Sequence, residues 1–230
     1  MIVLHGRSDS DEKVEGYIKF YRRDVFEPLL EHREDAIAEY ERFARARDTA
    51  AEELELLHDI ATKRAGTYAA EIFEIQRMMV EDGDYSSIVG SIIKSQQCTA
   101  EFAVKCAAKI FADLLRFSGS DYMAKRSEDV FFTADRIIRK LAGVEKRLAQ
   151  YGDKKVILCA DTLSSSDVLL MQSPNLCAFA FKKDTEQSHC VLLAQKLGIP
   201  TISDLGDGLE FKFEGREATL DCTLGTLVIE

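Results

Sequence analysis

Residues 188–200 read Ser-His-Cys-Val-Leu-Leu-Ala-Gln-Lys-Leu-Gly-Ile-Pro. The apolar-rich segment Cys190 to Leu197 is followed by Gly198 and Pro200, which predicts a short helix that ends at the glycine. Ser188 and His189 then fall at or near the helix N-terminus. The unpaired N–H groups and the dipole of a helix start favour a bound anion by on the order of 0.3 to 2 kcal/mol, so this position suits a phosphate.

Histidine suits phosphoryl chemistry at such a position. An imidazole with the ordinary pKa of about 6.5 is largely neutral near pH 7 and keeps one ring nitrogen as a nucleophile. Of the four histidines, only His189 lies at the start of a predicted helix in a sequence that suits phosphate binding. Ser188 is placed to hydrogen-bond phosphoryl oxygens. Taken alone, a Ser-His pair does not separate this role from capping or packing.

The centre of the chain predicts a helical domain. No proline lies between Pro28 and Pro174, and residues from about Glu31 to Gly143 are mostly helix-forming, with apolar residues at helical spacing. Thr99 is a candidate N-cap for a helix from Ala100 to Arg116, and Gly143 is a candidate for the last C-cap.

The flanks predict strands, which indicates a discontinuous α/β domain (residues 1–27 and 144–230) around an inserted all-α domain (residues 28–143). Two sequential domains are the alternative. The candidate strands are Ile2 to Leu4, Tyr17 to Tyr21, Val156 to Cys159, Leu176 to Phe181, Leu209 to Phe213 and Thr226 to Ile229.

Composition narrows the functional classes. The chain has 46% hydrophobic residues and a formal net charge of −10, which disfavours nucleic acid and anionic membranes and favours a basic protein partner. We found neither an apolar run of membrane-spanning length nor a signal peptide, so we expect a cytoplasmic protein. The six cysteines are widely spaced and form no C-x-x-C pair, which indicates free thiols rather than a metal site.

Several segments, in order along Gly16 to Glu230, resemble enzyme I, the phosphoenolpyruvate-protein phosphotransferase of the bacterial sugar phosphotransferase system. Residues 188–200 are similar to the family's phosphohistidine segment G-G-x-x-S-H-x-x-I-x-A-R-x-x-x-I-P. Glu71 to Asp82 resembles its I-F-E-x-H-x-x-L-L-x-D helix, Thr99 to Ala112 its T-A-x-x-A-V helix, and Leu163 to Asp167 its L-T-P-S-D run. Similarity also covers 121–126, 129–130 and 136–141.

This resemblance implies a swivelling phosphohistidine α/β domain of the β/β/α type with an inserted helical domain that binds the histidine phosphocarrier protein HPr. It implies that His189 is the phosphohistidine and that Ser188 hydrogen-bonds the phosphoryl group. HPr would dock so that its own histidine faces His189. Carried over by position, the docking surface comprises Gln76, Met79, Asp82, Asp84, Leu115, Met123 and Arg126; alternatively, Met79, Leu115 and Met123 are core residues.

The family binds phosphoenolpyruvate and Mg²⁺ on a C-terminal (β/α)₈ barrel, which is not among residues 1–230. The resemblance therefore implies no cofactor or metal in this chain, no phosphorylation by phosphoenolpyruvate alone, and a monomer. Whether residue 230 is a natural end, which carrier and sugar pathway are involved, and how the full-length protein assembles do not follow from the sequence.

Some positions depart from the family pattern. Asp184 and Thr185 replace the glycine pair, Glu186 follows, and Gln195 replaces the arginine after Ala194. A carboxylate about 6 Å from a phosphoryl group costs roughly 1 to 3 kcal/mol. Val168 stands where the family commonly has threonine, and Gln76 replaces a histidine.

These departures leave two hypotheses open. The chain is a working phosphotransferase half, which the retained Ser188 and His189 favour, or a degenerate relative that binds a protein without chemistry. A third interpretation, the swivelling domain of a dikinase or a phosphoenolpyruvate synthase, is disfavoured by the segment Glu71 to Asp82.

Overall fold

The computed structural model describes residues 1–8, 10–22, 26–127, 129–145, 148–183 and 188–230, apart from the side chains of Asp121, Tyr122 and Lys125. The chain divides into two compact units. An α/β unit comprises Met1–Arg23, Ala61–Ala69 and Arg147–Glu230, and a helical unit comprises Asp24–Ile60 and Ala70–Lys146. The α/β unit is thus discontinuous along the chain. The predicted domain boundaries after residues 27 and 143 remain a proposal.

The described helices between residues 36 and 142 follow the local signals of the sequence. Gly66 separates the first two with φ 88°, a left-handed conformation that glycine adopts without strain. Thr99 is the N-cap of the fourth, and Gly143, with φ 64°, follows the last, both as predicted. The helices are α1 (Ala36–Ala65), α2 (Thr67–Val80), α3 (Gly83–Gln96), α4 (Ala100–Arg116), α5 (Asp121–Arg126) and α6 (Asp129–Ala142).

Alanine lets α4 pack closely at the centre of the helical unit. Ala103, Ala107 and Ala112 lie on its buried face, and the helix packs against both α3 and α6. Small side chains at a contact allow helix axes to approach toward the lower end of the usual range of roughly 8 to 10 Å. Phe43 and Phe73, both fully buried, supply bulk in the same core.

A partly buried ion network joins the starts of α1 and α4. The Thr99 hydroxyl makes no capping bond; instead Glu39 (6% exposed) accepts a 2.8 Å hydrogen bond from the Ala100 N–H. Arg42 donates to Glu39 Oε2 at 2.7 Å and to Glu101 Oε1 at 2.6 Å. Burial alone would lower the pKa of Arg42, but the hydrogen bonds to Glu101 and Glu39 outweigh it and raise that pKa. Arg42 therefore holds two carboxylates that would otherwise repel each other.

The described part of the α/β unit forms a mixed seven-stranded sheet of order β1-β7-β6-β2-β3-β4-β5. Strands β2 to β5 are parallel, whereas β1, β6 and β7 pair antiparallel. Helix α7 (Ser165–Leu170) follows β3, and α8 (His189–Lys196) follows β4. The strands are β1 (Ile2–His5), β2 (Lys13–Phe20), β3 (Val156–Ala160), β4 (Leu176–Phe181), β5 (Thr201–Ile202), β6 (Glu217–Asp221) and β7 (Thr226–Ile229).

Both faces of the central strands are buried. Alternation along β3 places Ile157 and Cys159 in one apolar cluster and Leu158 on the opposite face. Burial in that cluster raises the pKa of the Cys159 thiol, so this cysteine is an inert core residue. None of the six cysteines, all of which the structure describes, forms a disulfide, and four are buried.

Backbone bonds join the two ends of the sheet order. Arg7, after β1, and Ser203, after β5, exchange two N–H to carbonyl bonds of 2.8 Å. A Cβ at Gly6 would lie 2.4 Å from the Ser203 carbonyl oxygen, so a side chain there would prevent this closure.

One predicted strand is wrong and two strands were not predicted. Leu209 to Phe213 alternates in polarity, but it follows a 3₁₀ turn at Gly206–Gly208 and itself contains a second one at Phe211–Phe213. Leu209 and Phe213 are buried while Phe211 is half exposed beneath the Arg22 guanidinium. The alternation of apolar and polar residues here comes from a surface turn in which two apolar side chains, Leu209 and Phe213, are buried. Strands β5 and β6 are too short, or too polar, to stand out by pattern.

Candidate functional site

The site lies at the carboxyl edge of the parallel strands, where α/β sheets usually bind ligands. Segments that follow β3, β4 and β5 meet at this edge. Ser188 is the N-cap of α8, with extended backbone (φ −69°, ψ 145°), and its carbonyl accepts the Leu192 N–H at 3.0 Å. Gly198 (φ 70°) ends the helix, and the Ile199 N–H bonds the Ala194 carbonyl at 3.0 Å. The predicted helix is confirmed, with its start one residue earlier.

His189 is the first residue of α8 and is half-buried. Cys190 and Val191, which follow it, are buried, whereas Lys196, two turns along, is exposed. His189 therefore lies at the border between the packed face and the solvent face of the helix. At this position a side chain can be held by packing on one side and remain accessible to a reactant from solvent on the other.

The Ser188 hydroxyl makes no capping bond to the helix that it precedes. It lies 3.3 Å from the Cys190 sulfur, and either group can donate the proton of that contact. Serine at an N-cap usually bonds the N–H of the second or third helical residue. Ser188 therefore has its hydroxyl directed to a side chain instead.

A second helix start with buried polar groups lies at the same edge. Ser164 is the N-cap of α7, and Asp167 completes a capping box with it. The Asp167 carboxylate is fully buried and accepts bonds from the Ser164 N–H at 2.9 Å and the Ser164 hydroxyl at 2.6 Å. The run Leu163 to Asp167, which resembles the family's L-T-P-S-D, therefore also holds the start of α7.

Replacing Asp167 with alanine is expected to destabilise the chain by about 2 kcal/mol, because the buried Ser164 N–H loses its acceptor. Chemical unfolding followed by circular dichroism measures this effect. Asp161→Ala, at an exposed carboxylate of the same edge, is the matched control and should cost less than about 0.5 kcal/mol. Equal unfolding midpoints for the two variants would contradict the anchoring role.

Two lysines, Lys182 and Lys183, directly follow β4 at this edge and were not predicted as site residues. The Lys182 N–H bonds the Ala160 carbonyl at 2.9 Å, and the Lys183 N–H bonds the Asp161 carbonyl at 3.0 Å. The Lys182 ammonium lies 3.0 Å from Asp207, and the hydrogen bond between them raises the lysine pKa. The sequence feature that could have identified them is a pair of adjacent lysines directly after an apolar strand.

The structure describes only some of the residues at which this chain departs from the family pattern. Val168 is fully buried in α7, and its alkyl side chain offers no hydrogen bond to a histidine. Gln195 is half-buried in the last turn of α8. Asp184, Thr185 and Glu186 lie outside the described residues.

Two residues of the predicted docking surface are buried in this structure. Gln76 is 3% exposed on the inner face of α2, and Leu115 is 8% exposed on the inner face of α4. Each side chain faces the packed interior of the helical unit and offers little surface to a partner. The alternative of a core role therefore holds for Leu115 and does not hold for Met123, which is 38% exposed.

The remaining docking candidates are at least partly accessible. Asp84 is exposed and Met79 is half-buried. Asp82 is the N-cap of α3 and accepts the Tyr85 N–H at 2.8 Å. Arg126 lies 3.6 Å from Asp129, with little of either side chain exposed. Asp82 and Arg126 therefore also have structural roles.

The described residues contain no group of three or more His, Cys, Asp or Glu side chains arranged to hold a metal ion. Within the same residues, no helix is both long enough and apolar enough to cross a membrane.

These features define a swivel-type α/β domain with an all-α insertion. The α/β unit is discontinuous and has parallel strands, a histidine starts the helix after β4, and the helical unit is inserted after β2. A family model for the N-terminal part of PEP-utilising enzymes matches residues 18–126, and one for their mobile domain matches residues 152–225. The chain belongs to the PEP-utilising enzyme family. The predicted fold class is thereby confirmed.

Similar proteins carry a consistent name. The phosphoenolpyruvate-protein phosphotransferase of Lactococcus lactis subsp. lactis is 25% identical over 85% of this chain and 34% of its own length. That of Bacillus subtilis is 28% identical over 73% of this chain and 30% of its own length. A solution structure of an enzyme I protein matches with a TM-score of 0.75 at 25% identity, covering 99% of this chain and 92% of that one. The chain thus spans about a third of the length of these curated relatives.

Proposed function

We propose that this chain carries phosphoryl groups on His189, as the N-terminal portion of a phosphoenolpyruvate-dependent protein phosphotransferase. The position of His189 carries the proposal. It is the half-buried first residue of a helix at the carboxyl edge of the parallel strands. The positive end of the α8 dipole favours a phosphoryl group there, and the similarity to phosphoenolpyruvate-protein phosphotransferases supplies the chemistry.

The reaction consists of two displacements at phosphorus. In the first, a ring nitrogen of His189 attacks the phosphorus of phosphoenolpyruvate, a P–N bond forms, and the P–O bond to enolpyruvate breaks. Enolpyruvate leaves and takes up a proton on carbon to become pyruvate. In the second, a histidine nitrogen of the carrier attacks the same phosphorus and the P–N bond to His189 breaks. In both steps the Ser188 hydroxyl donates a hydrogen bond to a phosphoryl oxygen and keeps its proton.

We place the phosphoenolpyruvate and Mg²⁺ site on a (β/α)₈ barrel outside residues 1–230. No residue of this chain is assigned to a metal or cofactor. The chain by itself should therefore exchange phosphate with a phosphorylated carrier and should not react with phosphoenolpyruvate. We place this exchange in the cytoplasm.

The partner in this proposal is a carrier similar to HPr that docks on the helical unit. The net charge of −10 favours a basic carrier. Met78 (63% exposed) and Met123 (38%) provide apolar contact area, and Asp84 provides charge. An apolar centre with a charged rim is usual for a transient interface. We propose that the chain acts as a monomer.

A second candidate function is a protein-binding module without phosphoryl chemistry. Val168 favours this alternative, because it is buried where the family commonly has a hydrogen-bonding threonine. The helical unit would then bind its partner while His189 stays unmodified.

Incubation with a radiolabelled phosphorylated carrier separates these functions. We expect phosphate on the chain that is stable in base and labile in acid, and that maps to the peptide containing His189 by mass spectrometry. Phosphoenolpyruvate alone should label nothing. Carrier binding without transfer, measured by calorimetry on the same proteins, would support the binding module instead.

A further inference from the structure

A phosphoryl group on His189 needs a compensating cation. It brings roughly two negative charges to the edge of the sheet. The sequence just before α8 adds the carboxylates of Asp184 and Glu186, and Asp161 follows β3 directly. These carboxylates add negative charge to a part of the sequence where a phosphoryl group would bring more, and like charges repel each other. A cation held at the same edge would restore the balance.

The two lysines that follow β4 are held at this edge by their backbone hydrogen bonds. Their N–H groups bond the carbonyls of Ala160 and Asp161, so Lys182 and Lys183 extend the β3–β4 pairing beyond the last strand residue. Helix α8 begins six residues after Lys183, with His189 as its first residue. Both ammonium groups therefore originate where the strand that leads to the histidine ends.

The ion pairs of the two lysines differ. Lys182 lies 3.0 Å from Asp207, its side chain is only 21% exposed, and the Gly206 N–H bonds its carbonyl. Lys183 lies 3.9 Å from Asp161, and both side chains are about two-thirds exposed. An exposed pair at the limiting distance contributes little, so Lys183 can exchange its partner at small cost.

We propose that Lys183 contacts the phosphoryl group on His189 and stabilises it; this inference rests on the proposed function. The ammonium donates hydrogen bonds to non-bridging oxygens and keeps its proton. Asp161 holds the lysine while the histidine is unmodified. No further reactant is needed, because the bonds that form and break are those of the displacement at phosphorus.

Potassium phosphoramidate tests this proposal without a carrier. A His189 ring nitrogen attacks its phosphorus, the P–N bond of the reagent breaks, and ammonia leaves. Lys183→Met should lower the rate of His189 phosphorylation by about tenfold, the factor expected for loss of one charge-assisted hydrogen bond. It should also weaken the dependence of the rate on salt, and Lys183→Arg should restore most of both.

Lys196→Gln is the matched control, since Lys196 is an exposed lysine in the last turn of α8, at the opposite end from His189. Its rate and salt dependence should equal those of the unmodified sequence. Equal rates for Lys183→Met and Lys196→Gln would overturn the role of Lys183 and leave the proposed function intact. No phosphorylation of His189 in the unmodified sequence would overturn the proposed function itself.

Discussion

Replacing His189 with alanine is expected to abolish phosphorylation of this chain by a phosphorylated carrier. The phosphoryl group has no other nucleophile in this proposal, and alanine supplies none. The fold should survive, because His189 is half-buried at the border of α8 and such substitutions usually cost about 1 kcal/mol or less. Acid-labile radiolabel on the chain measures transfer, and circular dichroism verifies folding.

Two further variants make this result specific. His58→Ala, at a side chain that is 31% exposed in α1, should retain the full label. Ser188→Ala should retain the site but react more slowly by about tenfold, since it loses one hydrogen bond to the phosphoryl group. Label that persists in His189→Ala, on any other residue, would contradict the assignment of the phosphohistidine.

Replacing Arg42 with alanine is expected to destabilise the chain by about 3 kcal/mol. The variant removes the cation between the Glu39 and Glu101 carboxylates, whose side chains are 8% and 13% exposed. Glu39 then keeps only the more distant Arg33 guanidinium, at 3.9 Å. Glu39 also accepts the Ala100 N–H, so its displacement would expose the start of α4. Urea unfolding followed by circular dichroism measures the loss.

The controls for this network come from the same helices. Arg45→Ala, at an exposed arginine 4.0 Å from Glu41, should cost less than about 0.5 kcal/mol. Adding Glu101→Gln to Arg42→Ala should recover part of the lost stability, because one uncompensated charge is removed. A double variant less stable than Arg42→Ala would show that charge compensation is not what Arg42 provides.

Helix ends were predictable because their signals are local. Thr99, Gly143 and Gly198 each occupy the cap position that their residue type favours. The helix that starts at His189 was predicted for the same reason, together with the phosphate-favouring position of its first residue. Agreement at these sites needs only the conformational preferences of a few adjacent residues.

The buried face of each helix and the pairing partner of each strand were less predictable, because they depend on segments far away in the sequence. Gln76 is polar and lies on a helix with a family-like pattern, yet packing buries it. Leu209 to Phe213 alternates as a strand does, but no neighbouring strand pairs with it among the described residues. The roles of Asp167 and Lys183 could not be predicted, because they depend on β3 and β4 ending side by side in the sheet.

The chain's local chemistry therefore determined the helical insertion, the discontinuous α/β unit and the candidate nucleophile at the start of α8. Tertiary structure decided which side chains of those elements are accessible, which carboxylates are anchored, and which lysine stands at the carboxyl edge. The difference has one physical cause. Caps, turns and periodicity act over a few residues, whereas burial and charge compensation arise between segments that the fold brings together from far apart in the chain.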